Sequence, residues 1–340
     1  MTEAAFPVLG AAFVVLIVLP ASALLAKLGL VLVERLGARG PLESLNLRYV
    51  LLAGSSFLPL GWFLSAGVHQ AETGHSALSC LLKHEQGGLC FEPASFAMLL
   101  AAVAGMAALR SLRRNGKVSV ANSAAAVRLT ARIEGLVGGS TSLVALRGRV
   151  LVTEDEGFTI GTRGVVRPVV FIGVSFAARL TDSMLCSALG HEQEHVRSLD
   201  PVRYLLLHFA LLVNPCGRFL LAPHAARWKG ARETYCDREA VIHGASPLPL
   251  ADAIVRAARP TLREAAALGA RDTAVLELRI KMLLAFAECA PRKLRAESRS
   301  AIPVTLMLLV MTVLLPHQTG TAALDALHAG AEQALTYVWP

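Results

Sequence analysis

From Ala4 to Ala26 the chain carries no charged side chain, and after Lys27 the apolar run resumes from Leu28 to Val33. A helix of that length crosses a hydrocarbon layer of about 30 Å, and it satisfies its own backbone N–H and C=O groups where no water is present to do so. A cleaved leader is the rival reading, yet leaders open on a basic segment and here Glu3 precedes the run, so an anchor is expected. Three further charge-free runs follow: Val50 to Val68, which contains Pro59, then Ser95 to Leu109, then Ala301 to Leu315. With 54% hydrophobic and 17% charged residues among 340, the chain is too apolar for an ordinary soluble domain, and most of its charge collects between the third and fourth runs. The expected fold class is an α-helical integral membrane protein with one globular domain set between transmembrane helices three and four.

Charge also suggests sidedness. Lys27, Glu34, Arg35, Arg39 and Arg48 mark a mainly basic loop after the first run, Arg110, Arg113, Arg114 and Lys117 close the third, and Arg292, Lys293, Arg295 and Arg299 precede the fourth. Basic clusters stay on the cytoplasmic side, which puts both termini outside a bacterial-type inner membrane and the central domain inside it. The expected boundaries are 1–115 for three spans with an extracytoplasmic loop at 69–93, 116–299 for the domain, 300–316 for the fourth span, and 317–340 for an amphipathic tail. In that tail Leu324, Leu327, Leu335 and Val338 fall near one face, with Tyr337 and Trp339 at its end. The net charge of +8 belongs to these collars, and no motif interleaves aromatics with bases, so nucleic acid is not an expected partner. Cys80 and Cys90 would face an oxidising compartment, where a disulfide is expected; Cys186, Cys216, Cys236 and Cys289 would lie on the reducing side. His69, His75 and His84 share the outer loop and read as solvated histidines.

Within the domain, Gly190 to Pro201 reads G-H-E-Q-E-H-V-R-S-L-D-P. His191 and His195 stand four apart, one helical turn, so both imidazoles can reach a single metal ion, and Glu192 between them is placed to move a proton. Zinc is the expected occupant, one per chain, with an open position at which water is activated near neutral pH. A short motif of this kind also arises by chance on a solvated helix with two satisfied histidines. Downstream, Glu233-Thr-Tyr-Cys-Asp237 offers a third ligand in Glu233 and, one turn on, a carboxylate in Asp237 able to orient a ligand histidine through its free ring N–H.

Several motifs in order resemble the membrane zinc metallopeptidases of the antirepressor type, whose best-known members are the beta-lactam sensor-transducers. The metal helix with its trailing Asp200-Pro201, then Asn214-Pro215, then Glu233 to Asp237, then Leu276-Glu277-Leu-Arg279-Ile280 through Leu284 are similar to that family's successive motifs, and Cys236 before Asp237 stands where related membrane peptidases usually carry alanine. The resemblance implies a gluzincin-like α+β fold, His191, His195 and Glu233 as ligands, Glu192 as base, and regulated proteolysis in signalling, with the chain itself or a transcriptional repressor as substrate. The chain departs from the sensors in having only a short tail after the fourth run and no Ser-x-x-Lys acylation motif. Beta-lactam sensing is therefore not expected. Two other functions remain open: a quality-control protease for membrane proteins, and a non-catalytic signalling module clamped by zinc.

Other segments take simpler readings. Leu146 to Val152 and Val165 to Ile172 read as strands, while 118–134 fits strand or helix alike. Val169, Val170, Phe171 and Ile172, just upstream of the metal helix, are the candidate edge on which an extended peptide substrate adds as a further strand. Thr181 or Asp182 should cap the metal helix, and Asp200 should cap its end or hold a basic partner. Val202 to Val213 is too short to span and reads as a buried or re-entrant helix. Tyr235, His224 and His243 are the candidate donors to a tetrahedral oxyanion, with nothing in the sequence to choose among them. Cys236 reads as a small packed residue.

Overall fold

The computed structural model describes residues 14–35, 44–72, 123–155, 157–264 and 270–289, with positions 42, 105 and 121 besides. A π-helical turn at Val14–Val18 leads into α1 (Leu19–Arg35), followed by α2 (Leu45–Glu72) and α3 (Ala124–Gly139). Three short strands come next, β1 (Val150–Thr153), β2 (Ile160–Arg163) and β3 (Val169–Gly173). The remainder is helical: α4 (Val174–Ala177), α5 (Asp182–Arg197), α6 (Asp200–Val213), α7 (Gly217–Leu220), α8 (Ala222–Ile242), α9 (Pro247–Glu264) and α10 (Ala270–Glu288). The described chain is thus mostly helical with one three-stranded sheet.

Among the described residues one helix, Val15–Arg35, is long and apolar enough to cross a membrane by length and composition. The second apolar run lies within α2, which carries Pro59 inside it. The third and fourth runs, the loop with Cys80 and Cys90, and the C-terminal tail lie outside the described residues. α1 and α2 run antiparallel, since Ser22 donates to the Ser55 carbonyl while Gly29 lies against Leu51.

The segment that the sequence leaves undecided becomes helix α3. Ser123 caps it by accepting from the Ala126 N–H, and Ala126, Leu129, Ile133 and Val137 recur at helical spacing to give one buried stripe. The strand order is β1-β3-β2, with β1 parallel and β2 antiparallel to β3. This corrects the substrate-edge expectation. Val169, Val170, Phe171 and Ile172 form the central strand, whose backbone is paired on both sides, and an added peptide has no free ladder there. Hydrophobic richness marked the most buried strand, not the exposed one. The open edge near the metal helix belongs instead to β2, Ile-Gly-Thr-Arg, which is half-buried along its length and pairs only with β3 among the described residues. Its lack of a β-branched run hid it from the sequence.

Among the described residues, three packed clusters hold the helices. One joins α3, the sheet, α4 and α5 around Leu146, Ile172, Phe176, Leu185 and Leu189. Another joins α1, α2, α6 and α8 around Tyr49, Leu207, Leu221 and Trp228. The third sets α9 and α10 on the end of α8 through Ala240, Leu250 and Leu283. α5 is buried along nearly its whole length because all three groups of elements close on it or on α8. Leu185 is fully buried on α5, away from the histidines. Leu185→Ala should therefore lower stability by about 2–5 kcal/mol through the cavity it leaves, read as a drop in the thermal unfolding midpoint with metal held constant.

Candidate metal centre

Helix α5 is built to carry two histidines rigidly. Thr181 caps its N-terminus by accepting from the Met184 N–H, and Gln193 fastens its middle to the preceding turn by accepting from the Ala145 N–H and donating to the Ser142 carbonyl. The helix ends where Leu199 turns left-handed at φ 54°, the sole non-glycine residue with positive φ among those described. That conformation costs about 1–2 kcal/mol for an L-residue. It folds Asp200 back beneath His195, with Pro201 opening α6 at a position where a missing N–H costs nothing.

Each histidine is then held by a carboxylate and each carboxylate by an arginine. His195 Nδ1 lies 2.7 Å from Asp200 Oδ2, and Arg232 Nε donates to the same carboxylate at 2.9 and 3.0 Å. His191 Nδ1 lies 2.7 Å from Asp237 Oδ1, and Arg279 donates to Asp237 through Nε at 2.6 Å and a terminal nitrogen at 2.9 Å. Both aspartates are fully buried. Burial works to raise the pKa of Asp237, but Arg279 and His191 outweigh it and hold the group below the usual carboxylate range. In Asp200, burial is likewise outweighed by His195 and Arg232. Arg279 reaches Asp237 because α10 comes close to α8 at Gly230, where a Cβ would press within 2.9 Å of the Val275 side chain.

With Nδ1–H donating to Asp200, the His195 ring presents the bare lone pair of Nε2 on its far side, and the His191 ring, its Nδ1 2.7 Å from Asp237, turns its own Nε2 toward it. Those two Nε2 atoms are 3.1 Å apart and stand 3.4 and 3.6 Å from the Glu233 carboxylate oxygens. Three lone-pair donors facing one another repel unless a cation lies among them. Tetrahedral ligands at about 2.0–2.1 Å from zinc are about 3.3 Å from one another, so the observed separations suit a small divalent ion held by His191, His195 and Glu233. The electrostatics agree. Burial tends to lower the pKa of His191, yet Asp237 and Glu233 raise it above normal. Burial opposes His195 in the same way, and neighbouring Cys236, Glu233 and Asp200 carry it well up. Cys236 itself is pushed up to about 11 by burial, so it is a neutral thiol near pH 7 and the two carboxylates supply the attraction to His195. Glu233, despite burial, is held well below its usual range by the histidines and Arg279. The cluster thus favours positive charge between the rings.

A second group, His195, Asp200 and Cys236, also has ligating atoms within reach of one another. Its carboxylate already accepts from His195 Nδ1 and, at both oxygens, from Arg232 Nε, so those ligating atoms are engaged with one another and with the arginine. Cys236, fully buried with Sγ 3.5 Å from His195 Nδ1, fills the space behind the ring.

Glu192 lies on the cavity side of the same helix, where Thr162 of β2 donates to its Oε2 at 2.7 Å. The adjoining cavity is lined by His191, Glu192, Glu233, Ile160, Phe176 and Leu250, among others, and Arg279 stands at its wall. The three residues expected as oxyanion donors lie elsewhere. His224 accepts from Arg227 and sits 3.5 Å from Glu34, His243 lies 3.0 Å from Glu194, and Tyr235 packs beneath Arg232 with the guanidinium 4.6 Å from its ring. On α8, positions 224 and 235 lie about 180–200° from Glu233, and His243 follows the end of the helix. A hydroxyl from another helix does reach the site: Tyr204, one turn into α6, donates to Glu233 Oε1 at 3.3 Å. The sequence offered one signal for it, its place one turn after Asp200. Arg279 had a similar one, as the single arginine in a stripe of leucine and isoleucine.

Comparison of the chain with protein-family models, with curated proteins and with solved structures finds no match in any of the three.

Asp237→Asn removes the charge that fixes His191 while keeping its shape. Zinc affinity should fall about 10–100-fold, measured by competition with a chromogenic chelator; an affinity unchanged within error would show that Asp237 does not orient the ligand.

Proposed function

We propose that the chain is a membrane-anchored zinc endopeptidase that hydrolyses peptide bonds. The observation that carries this reading is the convergence of His191 Nε2, His195 Nε2 and Glu233, with His191 and Glu233 lining a cavity that Glu192 also lines. A structural zinc is usually closed by a fourth cysteine or histidine, and here two of the three ligands, His191 and Glu233, border open volume. Bound zinc supplies Lewis acidity that activates water and polarises the scissile carbonyl.

The chain's own residues do the rest. Glu192, oriented by Thr162, accepts the proton of the attacking water and passes it to the leaving amine. β2 offers the edge that meets no further strand among the described residues to an extended substrate, which gains main-chain hydrogen bonds without its side chains being read. Ile160, Phe176, Leu250 and Ile254 give the neighbouring cavity an apolar wall for a substrate side chain. Tyr204 steadies Glu233 from the α6 side. The relation to antirepressor-type peptidases, the four-span topology with a cytoplasmic domain, and a role in regulated proteolysis of a repressor-like protein or of the chain itself belong to the same proposal. A quality-control role would show as many substrates, signalling as one or two.

Glu192→Gln should retain zinc at wild-type stoichiometry and lose cleavage by about 10²–10⁴-fold or more. Persisting activity in that variant would remove Glu192 as the base. Comparing the proteomes of cells producing wild type and Glu192→Gln would name the substrate. For the topology, thiol reagents added outside intact cells under reducing conditions should label Cys80 and Cys90 and spare Cys289; the reverse pattern would invert it.

A further inference from the structure

The connection between α6 and α8 lies alongside α1 for most of that helix's length. At one level Asn214 Nδ2 donates to the Leu19 carbonyl at 2.7 Å, and at the other Glu34 lies 3.5 Å from His224 and 3.3 Å from Arg227. Leu19 and Glu34 are fifteen positions apart, about 22 Å of helix. Leu221 and Ala225 pack between these levels in one cluster with Ala23, Ala26 and Leu30. α6, 14 residues long, therefore descends about 21 Å from Asp200 beside the metal centre to the turn at Asn214, and α7 and the start of α8 climb back.

We propose that α6, the Asn214 turn and α7 form a hairpin that enters the bilayer beside α1 without crossing it, with lipid acyl chains against its outer face. The proposal rests on reading α1 as a membrane span. If α1 crosses, a hairpin tied to Leu19 reaches the same depth. Its chemistry suits that place. From Tyr204 to Pro223 the one charged residue is Arg218, beside the tip, where the remaining depth of a layer about 30 Å thick is short enough for an arginine to reach the far headgroups. Phe219 is 83% exposed and Leu212 40% exposed, and they continue the surface of Leu16, Ile17, Leu24, Leu25, Leu28 and Leu32, each at least half exposed. The polar groups turn inward instead. Ser22 donates to the Ser55 carbonyl, Ser56 to Ala210 and Asn214 to Leu19, the internal satisfaction that a lipid environment requires. The hairpin would anchor the metal centre at the membrane surface, since Asp200 begins α6 and holds His195.

The test is site-specific photo-crosslinking of the full chain in phosphatidylethanolamine–phosphatidylglycerol vesicles. p-Benzoylphenylalanine is placed singly at Phe219, Leu212, Leu25 and Val166, all exposed positions where the probe displaces no packing. Acyl-chain adducts at 219, 212 and 25, with none at 166, are the expected result by mass spectrometry. Lipid adducts at 25 with only protein adducts or none at 219 and 212 would overturn the hairpin and leave the span standing. Absence of lipid adducts at 25 as well would overturn both.

Discussion

Two fully buried aspartates, each gripped by an arginine on one side and an imidazole on the other, set the terms for everything around the candidate metal centre. An unpaired carboxylate at that depth would cost several kcal/mol, and the same group with every lone pair occupied is tolerated. Asp200 and Asp237 each lie 2.7 Å from the Nδ1 of their histidine, and both Nε2 atoms face Glu233. The requirement then propagates outward. Asp200 has to return beneath His195, so the chain accepts a left-handed Leu199; Arg279 has to reach Asp237, so α10 must approach α8 at a glycine. Local strain at one residue is maintained because Asp200, and through it His195 and Arg232, depend on the turn it makes.

Helix α8 works on two faces for the same reason. One face carries Glu233 and Asp237 to the histidines; the other carries Trp228, whose indole N–H donates to the Leu45 carbonyl at 3.0 Å and whose ring lies 5.2 Å from that of Tyr49. Tyr204 bridges the two faces, with its hydroxyl on Glu233 and its ring against Trp228. A displacement of α1 and α2 cannot leave this chain of contacts unchanged, because close-packed aromatic neighbours shift together. Under the proposed reading, the apolar bundle and the ligand Glu233 share one rigid element.

The parts that the sequence made legible are those in which local spacing carries the information. His191, Glu192 and His195 are one turn of one helix, Thr181 is a cap recognisable from its own neighbours, and Asp237 lies one turn from Glu233. What could not be read depends on distant partners. Whether β3 or β2 has the free edge follows from pairing order, and alternation of side chains within one strand is silent on that. Tyr235, His224 and His243 looked eligible because they are polar and near Glu233 in sequence, yet a helix sends positions 233 and 235 about 200° apart. Tyr204 and Arg279 come from helices on opposite sides of α8 and meet only at Glu233, to which Arg279 comes within 3.4 Å.

Under the proposed reading, the free edge and the base are also joined. Thr162 is a residue of β2, and its hydroxyl donates to the Glu192 carboxylate at 2.7 Å while lying 3.3 Å from that residue's own carbonyl oxygen. A peptide added to β2 as a further strand would therefore be registered, by its backbone hydrogen bonds, against the same residue that orients the proton carrier. Strand pairing advances in steps of two residues with side chains alternating between faces, so a slip of one residue would turn the substrate's apolar side chain away from the Phe176 and Leu250 wall. Edge pairing, pocket and base then impose one register between them. Selectivity for where a chain is cut can arise this way even though the backbone contacts themselves read no sequence.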